Sequence, residues 1–163
     1  MPLLDAYIPE GALTQAAEEA LLARLTDLLL EHEGADPTNQ QARSIAWVFL
    51  HRPEAVFVAG ERAALPRYRI VASVPEGQFD PERRQSLVAA VTEAVLDAEP
   101  EGRDRDPMRV WVFASDVPDG TWGGGGNIVT LADIATFVTG DPEGARAYAE
   151  RRLAKARGVP APA

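Results

Sequence analysis

Two stretches of the chain repeat one another, and this limits the fold more than any other feature. Ala6-Tyr7-Ile8-Pro9-Glu10-Gly11 lines up with Ala72-Ser73-Val74-Pro75-Glu76-Gly77 at a shift of 66. In that register Leu21 falls on Leu87, Leu25 on Val91, Thr26 on Thr92, Leu29 on Val95, Leu30 on Leu96 and Glu33 on Glu99. After a small length difference, Trp47-Val48-Phe49 recurs as Trp111-Val112-Phe113. Three blocks in the same order indicate that one supersecondary unit has been duplicated.

Each copy reads as strand, helix, strand. Leu3 to Ile8 and Tyr68 to Val74 are short apolar and β-branched runs closed by Pro-Glu-Gly, a turn signal. Leu21, Leu25, Leu28 and Leu29 share a face at helical spacing in the first copy, as do Leu87, Val91 and Val95 in the second. Asp80 is the expected N-cap of the second helix, with Pro81 at its first position. The return strands are expected over Ile45 to His51 and Arg109 to Ser115. A crossover helix of this length makes the strands of each unit parallel. Gly123 to Gly126 reads as a flexible turn, and Thr130 to Val138 and Asp141 to Arg157 as two further helices.

The expectation is therefore an α+β domain over residues 1–140, built from tandem β-α-β units at 2–60 and 66–126. They form a four-stranded mixed sheet with two long helices on one face. Residues 141–163 add a C-terminal helix and a tail, disordered from Gly158 to Ala163. The uncovered sheet face predicts self-association.

Composition narrows the chemistry. None of the 163 residues is cysteine, which leaves no disulfide, thiolate nucleophile or cysteine-held zinc. A net charge of −9 argues against a nucleic-acid partner. Lys155 is the single lysine and lies in a charged helical pattern, so Schiff-base chemistry is not expected. No apolar run reaches the roughly 18 residues of a membrane span, and the start of the chain lacks a secretion-signal layout, so a cytoplasmic protein with no membrane partner is expected. His32 sits at a helix end and His51 near Arg52-Pro53, with no metal-ligand spacing between them. Trp122-Gly123-Gly124-Gly125-Gly126 lacks the lysine and the strand-to-helix setting of a phosphate loop and reads as a turn.

Pro2, a short strand, Ile8-Pro9-Glu10-Gly11 and an amphipathic helix together resemble the start of the 4-oxalocrotonate tautomerase superfamily. Pro2-Leu3-Leu4, His51-Arg52-Pro53 and Phe137-Val138-Thr139-Gly140-Asp141 are similar to its malonate semialdehyde decarboxylase branch. The resemblance spans roughly residues 2–141 and implies a tautomerase/MIF-like fold, a fused β-α-β pair that assembles as a homotrimer. It also implies an enzyme without metal or cofactor, acting on a small keto or enol compound, in which the nitrogen of Pro2 is the general base once Met1 is removed.

The chain departs from the family where substrate carboxylates are held. Ala12 and Gln78 stand where an arginine follows the Glu-Gly turn, Trp47 and Trp111 where another lies on the return strand, and Val74-Pro75-Glu76 where decarboxylase relatives carry Arg-Pro-Arg. Arg43 and Arg109, at the expected starts of the return strands, are substitute carboxylate anchors or solvated arginines, and Arg109 would share a strand face with Trp111. Phe57 and Trp122 align with the family's hairpin aromatic and either line the site or pack in the core. The candidates are thus Pro2 as catalytic residue, with Arg43, Arg109, Phe57, Trp122 and Trp111 as substrate contacts. Decarboxylation, hydration or dehalogenation by the same proline, and a non-catalytic trimeric scaffold, are the alternatives.

Overall fold

The computed structural model describes residues 2–160. Expectations for Met1, and for the last residues of the tail from 161 on, lie outside the described residues. The first unit consists of β1 (Leu3–Tyr7), α1 (Gln15–Glu33), the short α2 (Gln40–Ser44) and β2 (Trp47–His51), followed by a hairpin of β3 (Phe57–Val58) and β4 (Glu61–Arg62). The second consists of β5 (Tyr68–Pro75), α3 (Pro81–Ala98), a 3₁₀ turn at Pro107–Arg109 and β6 (Val110–Val117), with a hairpin of β7 (Trp122–Gly124) and β8 (Asn127–Val129). Two helices, α4 (Leu131–Thr139) and α5 (Pro142–Arg157), close the chain.

The sheet order is β2-β1-β5-β6. Within each unit the strands are parallel, and the units meet through the antiparallel pair β1–β5, in which Leu3 faces Ser73, Asp5 faces Val71 and Tyr7 faces Arg69. That register places a pseudo-twofold axis at the middle of the sheet: Phe49, Asp5, Val71 and Phe113 form the central row across the four strands. Alternation along the strands sends Leu4, Ala6, Ile8, Ile70, Ala72 and Val74 to one face, where they are buried. The stripes anticipated from spacing, Leu21, Leu25, Leu28 and Leu29 of α1 and Leu87, Val91 and Val95 of α3, pack against them. Each such side chain removed from water contributes about 1.5–3 kcal/mol.

Local chemistry defines the helix ends. The Thr14 hydroxyl accepts from Ala17 N–H, and Gly34, at φ 90°, ends α1 in the left-handed region. Asp80 accepts from Arg83 N–H ahead of Pro81, and Asp141 accepts from Gly144 N–H ahead of Pro142. Gly77, at φ 89°, is required for a second reason: a Cβ there would lie 3.0 Å from the Arg152 backbone of α5. Arg152 donates to the carbonyls of Gly77 and Gln78, so α5 is clamped onto the turn that closes β5.

The opposite sheet face carries no helix. Trp47 and Trp111 are 63% and 62% exposed there, and Phe49 and Phe113 are exposed beside them. Three of the expected boundaries differ. The Gly123–Gly126 segment is part of a hairpin whose two turn residues, Gly125 and Gly126, have φ of 60° and 83°, the combination a tight two-residue turn needs. Arg43 lies inside α2, because Asn39 caps a helical turn before the strand begins. Arg109 ends the 3₁₀ turn started by Asp106 and Pro107 and does not lie in a strand with Trp111.

Glu33, at the end of α1, is buried beside Gln78, Ile134 and Tyr148, and its Oε2 has no hydrogen-bond partner among the described residues. Burial pushes its carboxyl up to about 7. The folded state therefore holds a proton that the unfolded chain releases near pH 4.5. This group's stabilisation is complete below that pH and is lost as pH rises to about 7, a difference on the order of 3 kcal/mol. Glu33→Gln should flatten the pH dependence over that interval and raise stability at pH 8, as measured by urea unfolding at pH 5 and pH 8.

Candidate active site

The duplication builds two clefts, one at each end of the sheet. The first surrounds Pro2. The ladder continues past β1, with Trp47 N–H donating to the Pro2 carbonyl at 3.2 Å, so residue 2 is held at the start of β2. Pro2 is buried, in a cleft of about 390 Å³ walled by Leu3, Ile45, Trp47, Phe49, Trp122 and Val129. Among the described residues none that lines it has a charged side chain. Trp122 comes from the hairpin of the second unit, which crosses back over the start of the first.

The second cleft is the pseudo-symmetric counterpart at the other end. Tyr68 takes the place of Pro2, Trp111 that of Trp47, and Phe57, from the hairpin of the first unit, that of Trp122. Its volume is about 600 Å³, and Arg67, Arg69, Asp106 and Arg109 join the apolar lining. Both hairpins use two-residue turns with positive φ. In β3–β4 one of the two is Ala59 at φ 52°, which costs a residue with a Cβ about 1–2 kcal/mol.

The structure thus divides the sequence candidates. Pro2 and Trp122 come together in the first cleft, while Phe57, Trp111 and Arg109 line the second. Arg43 lines neither, because its guanidinium donates to the Asp27 carboxylate and, at 2.8 Å, to the Pro37 carbonyl, tying α2 to α1. Trp47, Ile45 and Phe49 were not named as contacts from sequence, although the recurring Trp-Val-Phe block was the signal that could have found two of them.

Arg109 is 1% exposed and Glu99 2%. Their side chains form a bidentate pair, with Nη1 at 2.7 Å from Oε1 and Nη2 on Oε2. Tyr68 donates its hydroxyl to the same carboxylate at 2.7 Å, and Arg103 reaches it at 3.2 Å. Burial raises the Glu99 pKa, but the bonds from Arg109, Tyr68 and Arg103 outweigh it and hold the group below its ordinary value. The hydroxyl of Tyr68 is pushed well above its usual range, first by burial and then by Glu99.

Glu76 of the second Pro-Glu-Gly turn does not line the first cleft. Arg157 of α5 bonds it at 2.7 and 2.8 Å, and this bidentate contact, with help from Asp119 N–H, lowers its carboxyl to about 2. On the open face His51 Nε2 lies 2.6 Å from Asp5 Oδ1, and its ring stacks on Tyr7. His32 contacts the Leu28 carbonyl and Ser86 hydroxyl. Among the described residues no three acidic or histidine side chains gather as metal ligands do.

Comparison with known proteins places this geometry. Residues 70–132 match the family model described as tautomerase enzyme. A fused 4-OT wild-type symmetric trimer superposes with a TM-score of 0.62 at 28% identity, covering 78% of this chain and 94% of the other. Native fused 4-OT gives 0.61 at 27% identity, over 77% and 94%. Pt0534, solved after inactivation by 2-oxo-3-pentynoate, shares the fold at 0.62 and 24% identity, over 77% and 94%. No curated protein matches the chain.

The Glu99 cluster has a measurable role in the fold. Glu99→Gln leaves the buried guanidinium of Arg109 without its counter-charge and should lower stability by about 3–5 kcal/mol. Chemical unfolding of the two proteins at pH 7 checks this.

Proposed function

From a second unit that carries the tautomerase family signature, and a fold shared with the fused 4-OT structures, we propose that this chain is a cofactor-independent enzyme of the cytoplasm that moves a proton on a small keto or enol compound. The supporting observation is the burial of Pro2 in an uncharged cleft walled by Trp47 and Trp122. Once Met1 is removed, the residue 2 nitrogen is a secondary amine. An apolar surrounding disfavours its protonated form, which leaves a base able to act near neutral pH. In ketonisation the nitrogen takes the enol hydroxyl proton as the C=C electron pair moves to the adjacent carbon. A proton returned to that carbon completes the ketone, and no electrons are gained or lost overall.

The wall chemistry favours a flat, largely apolar substrate set between indole rings. Among the described residues no arginine lines this cleft, so carboxylate anchoring of the kind decarboxylation or dehalogenation draws on is not supported by its lining. The bare aromatic face, together with the trimeric assembly of a similar fused 4-OT structure, supports a homotrimer. No helix among the described residues is long and apolar enough to cross a membrane.

The enol of phenylpyruvate, followed by its loss of ultraviolet absorbance, should ketonise faster with the protein. Pro2→Ala should cut that gain by about 10²–10⁴-fold, the usual contribution of a positioned base. Intact-mass measurement accompanies the assay, since a retained Met1 turns the nitrogen into an amide, and an unchanged rate across several enols would sink the proposal. Light scattering should give three times the chain mass, and Phe113→Glu, which sets a charge in the bare face, should shift the protein towards monomer.

A further inference from the structure

The two helices that close the chain meet the body through contacts of two kinds. Along α5 they are polar and charged. Arg152 donates to the Gly77 and Gln78 carbonyls, Arg157 pairs with Glu76, Lys155 lies 3.3 Å from Asp80, and the Tyr148 hydroxyl donates to Gln78 Oε1 at 2.7 Å. The two carboxylates stay ionised from mild acid upward, because the bond from Arg157 lowers Glu76 to about 2 and the Arg83 N–H lowers Asp80. Where α4 meets α5 the contact is different. A cavity of about 230 Å³ lies there, with Ile134, Val138, Ala145 and Tyr148 across from Glu33 at the end of α1. Glu33 is 7% exposed, and its Oε2 is shut off from solvent without a hydrogen-bond partner among the described residues.

We propose that the α4–α5 pair is a pH-sensitive strap, docked while Glu33 is protonated and released locally, ahead of global unfolding, once Glu33 is ionised. The inference is independent of any chemistry at Pro2. The strap borders the candidate site all the same, since α4 follows β8 after Thr130 alone and Val129 of β8 walls the Pro2 cleft.

A carboxylate left among apolar side chains without hydrogen bonds is strongly disfavoured. The charged groups around Glu33 are committed elsewhere. From α3, Arg83 donates Nη1 to the backbone carbonyls of Glu33 and Gln78 at 3.4 and 3.2 Å. From α5, Arg152 is taken up by the turn carbonyls. On α1 itself Glu31 pairs with Arg24, and His32 turns to the Leu28 carbonyl and Ser86. Asp36, in the loop that follows, accepts from Thr38. What α4 presents to the cavity is Ile134, Ala135, Val138 and Thr139, none of them charged. Burial raises the Glu33 carboxyl, and the charge of the terminal amine opposes this more weakly.

The strap is the wall that can yield. The Leu21–Leu29 stripe fixes α1 in the main core, whereas α4 and α5 pack chiefly on each other. Helices of 9 and 16 residues are marginal in water on their own, so undocking also melts them and opens their amides to exchange. Docked, the Glu33 carboxyl titrates at about 7; released, it returns to its ordinary 4.5. Docking is therefore at full strength below pH 4.5, weakens by about tenfold per pH unit above it, and levels off past about 7.

Amide hydrogen exchange of the full-length protein from pH 4.5 to 8, corrected for the intrinsic rate at each pH, tests this. Amides of α4 and α5 should open more readily than those of β1 and β5 throughout. Their opening constant should rise about 10²–10³-fold between pH 4.5 and 7 and no further. In Glu33→Gln, neutral at every pH, the opening constant should not change with pH, while His32→Gln should keep the rise. The profile of the unaltered protein decides the matter where a variant fails to fold. Opening of α4 and α5 that is independent of pH, or no easier than that of β1 and β5, would overturn the proposal. So would a rise that persists in a folded Glu33→Gln protein or disappears in His32→Gln.

Discussion

The antiparallel pairing of β1 with β5 is the contact on which the remaining structure depends. Each β-α-β unit alone would present two parallel strands with one helix and two open edges, too little buried surface to offset its ordering entropy. Pairing β1 with β5 joins them into one sheet, sets both long helices side by side on one face, and leaves the other face to the aromatic rows ending in Trp47 and Trp111. A one-residue slip in that register would turn Leu4, Ala6, Ile70 and Ala72 outward, so the core itself holds the register in place.

From this pairing the two clefts follow directly. Antiparallel joining puts the start of the first unit next to the end of the second, and the reverse at the far side. The hairpin after each unit then reaches across to close the other unit's cleft, Trp122 over Pro2 and Phe57 beside Tyr68. Neither cleft belongs to one copy of the repeat.

This explains which features could be read from sequence. The duplication, the helix stripes at Leu21–Leu29 and Leu87–Val95, the caps at Asp80 and Asp141 and the bare face are all local or periodic signals, and the structure contains each of them. The partition of the candidates was not legible, because it depends on which hairpin crosses to which end. Pro2 and Trp122 stand 120 positions apart and meet only through the β1–β5 seam. Arg109 read as an exposed strand arginine because its partner, Glu99, sits at the end of α3 with a loop between them.

Duplication followed by fusion imposes an asymmetry that no later substitution can remove. A chain has one amino terminus, so of two pseudo-equivalent clefts only one can hold a terminal amine, and the other must carry a peptide bond at the matching place. The surroundings follow that difference. Among the described residues the lining around Pro2 is uncharged, whereas around Tyr68 the same scaffold carries Arg67, Arg69, Arg109 and Asp106. The two ends of one pseudo-symmetric sheet therefore differ in the charge of their linings as well as in sequence.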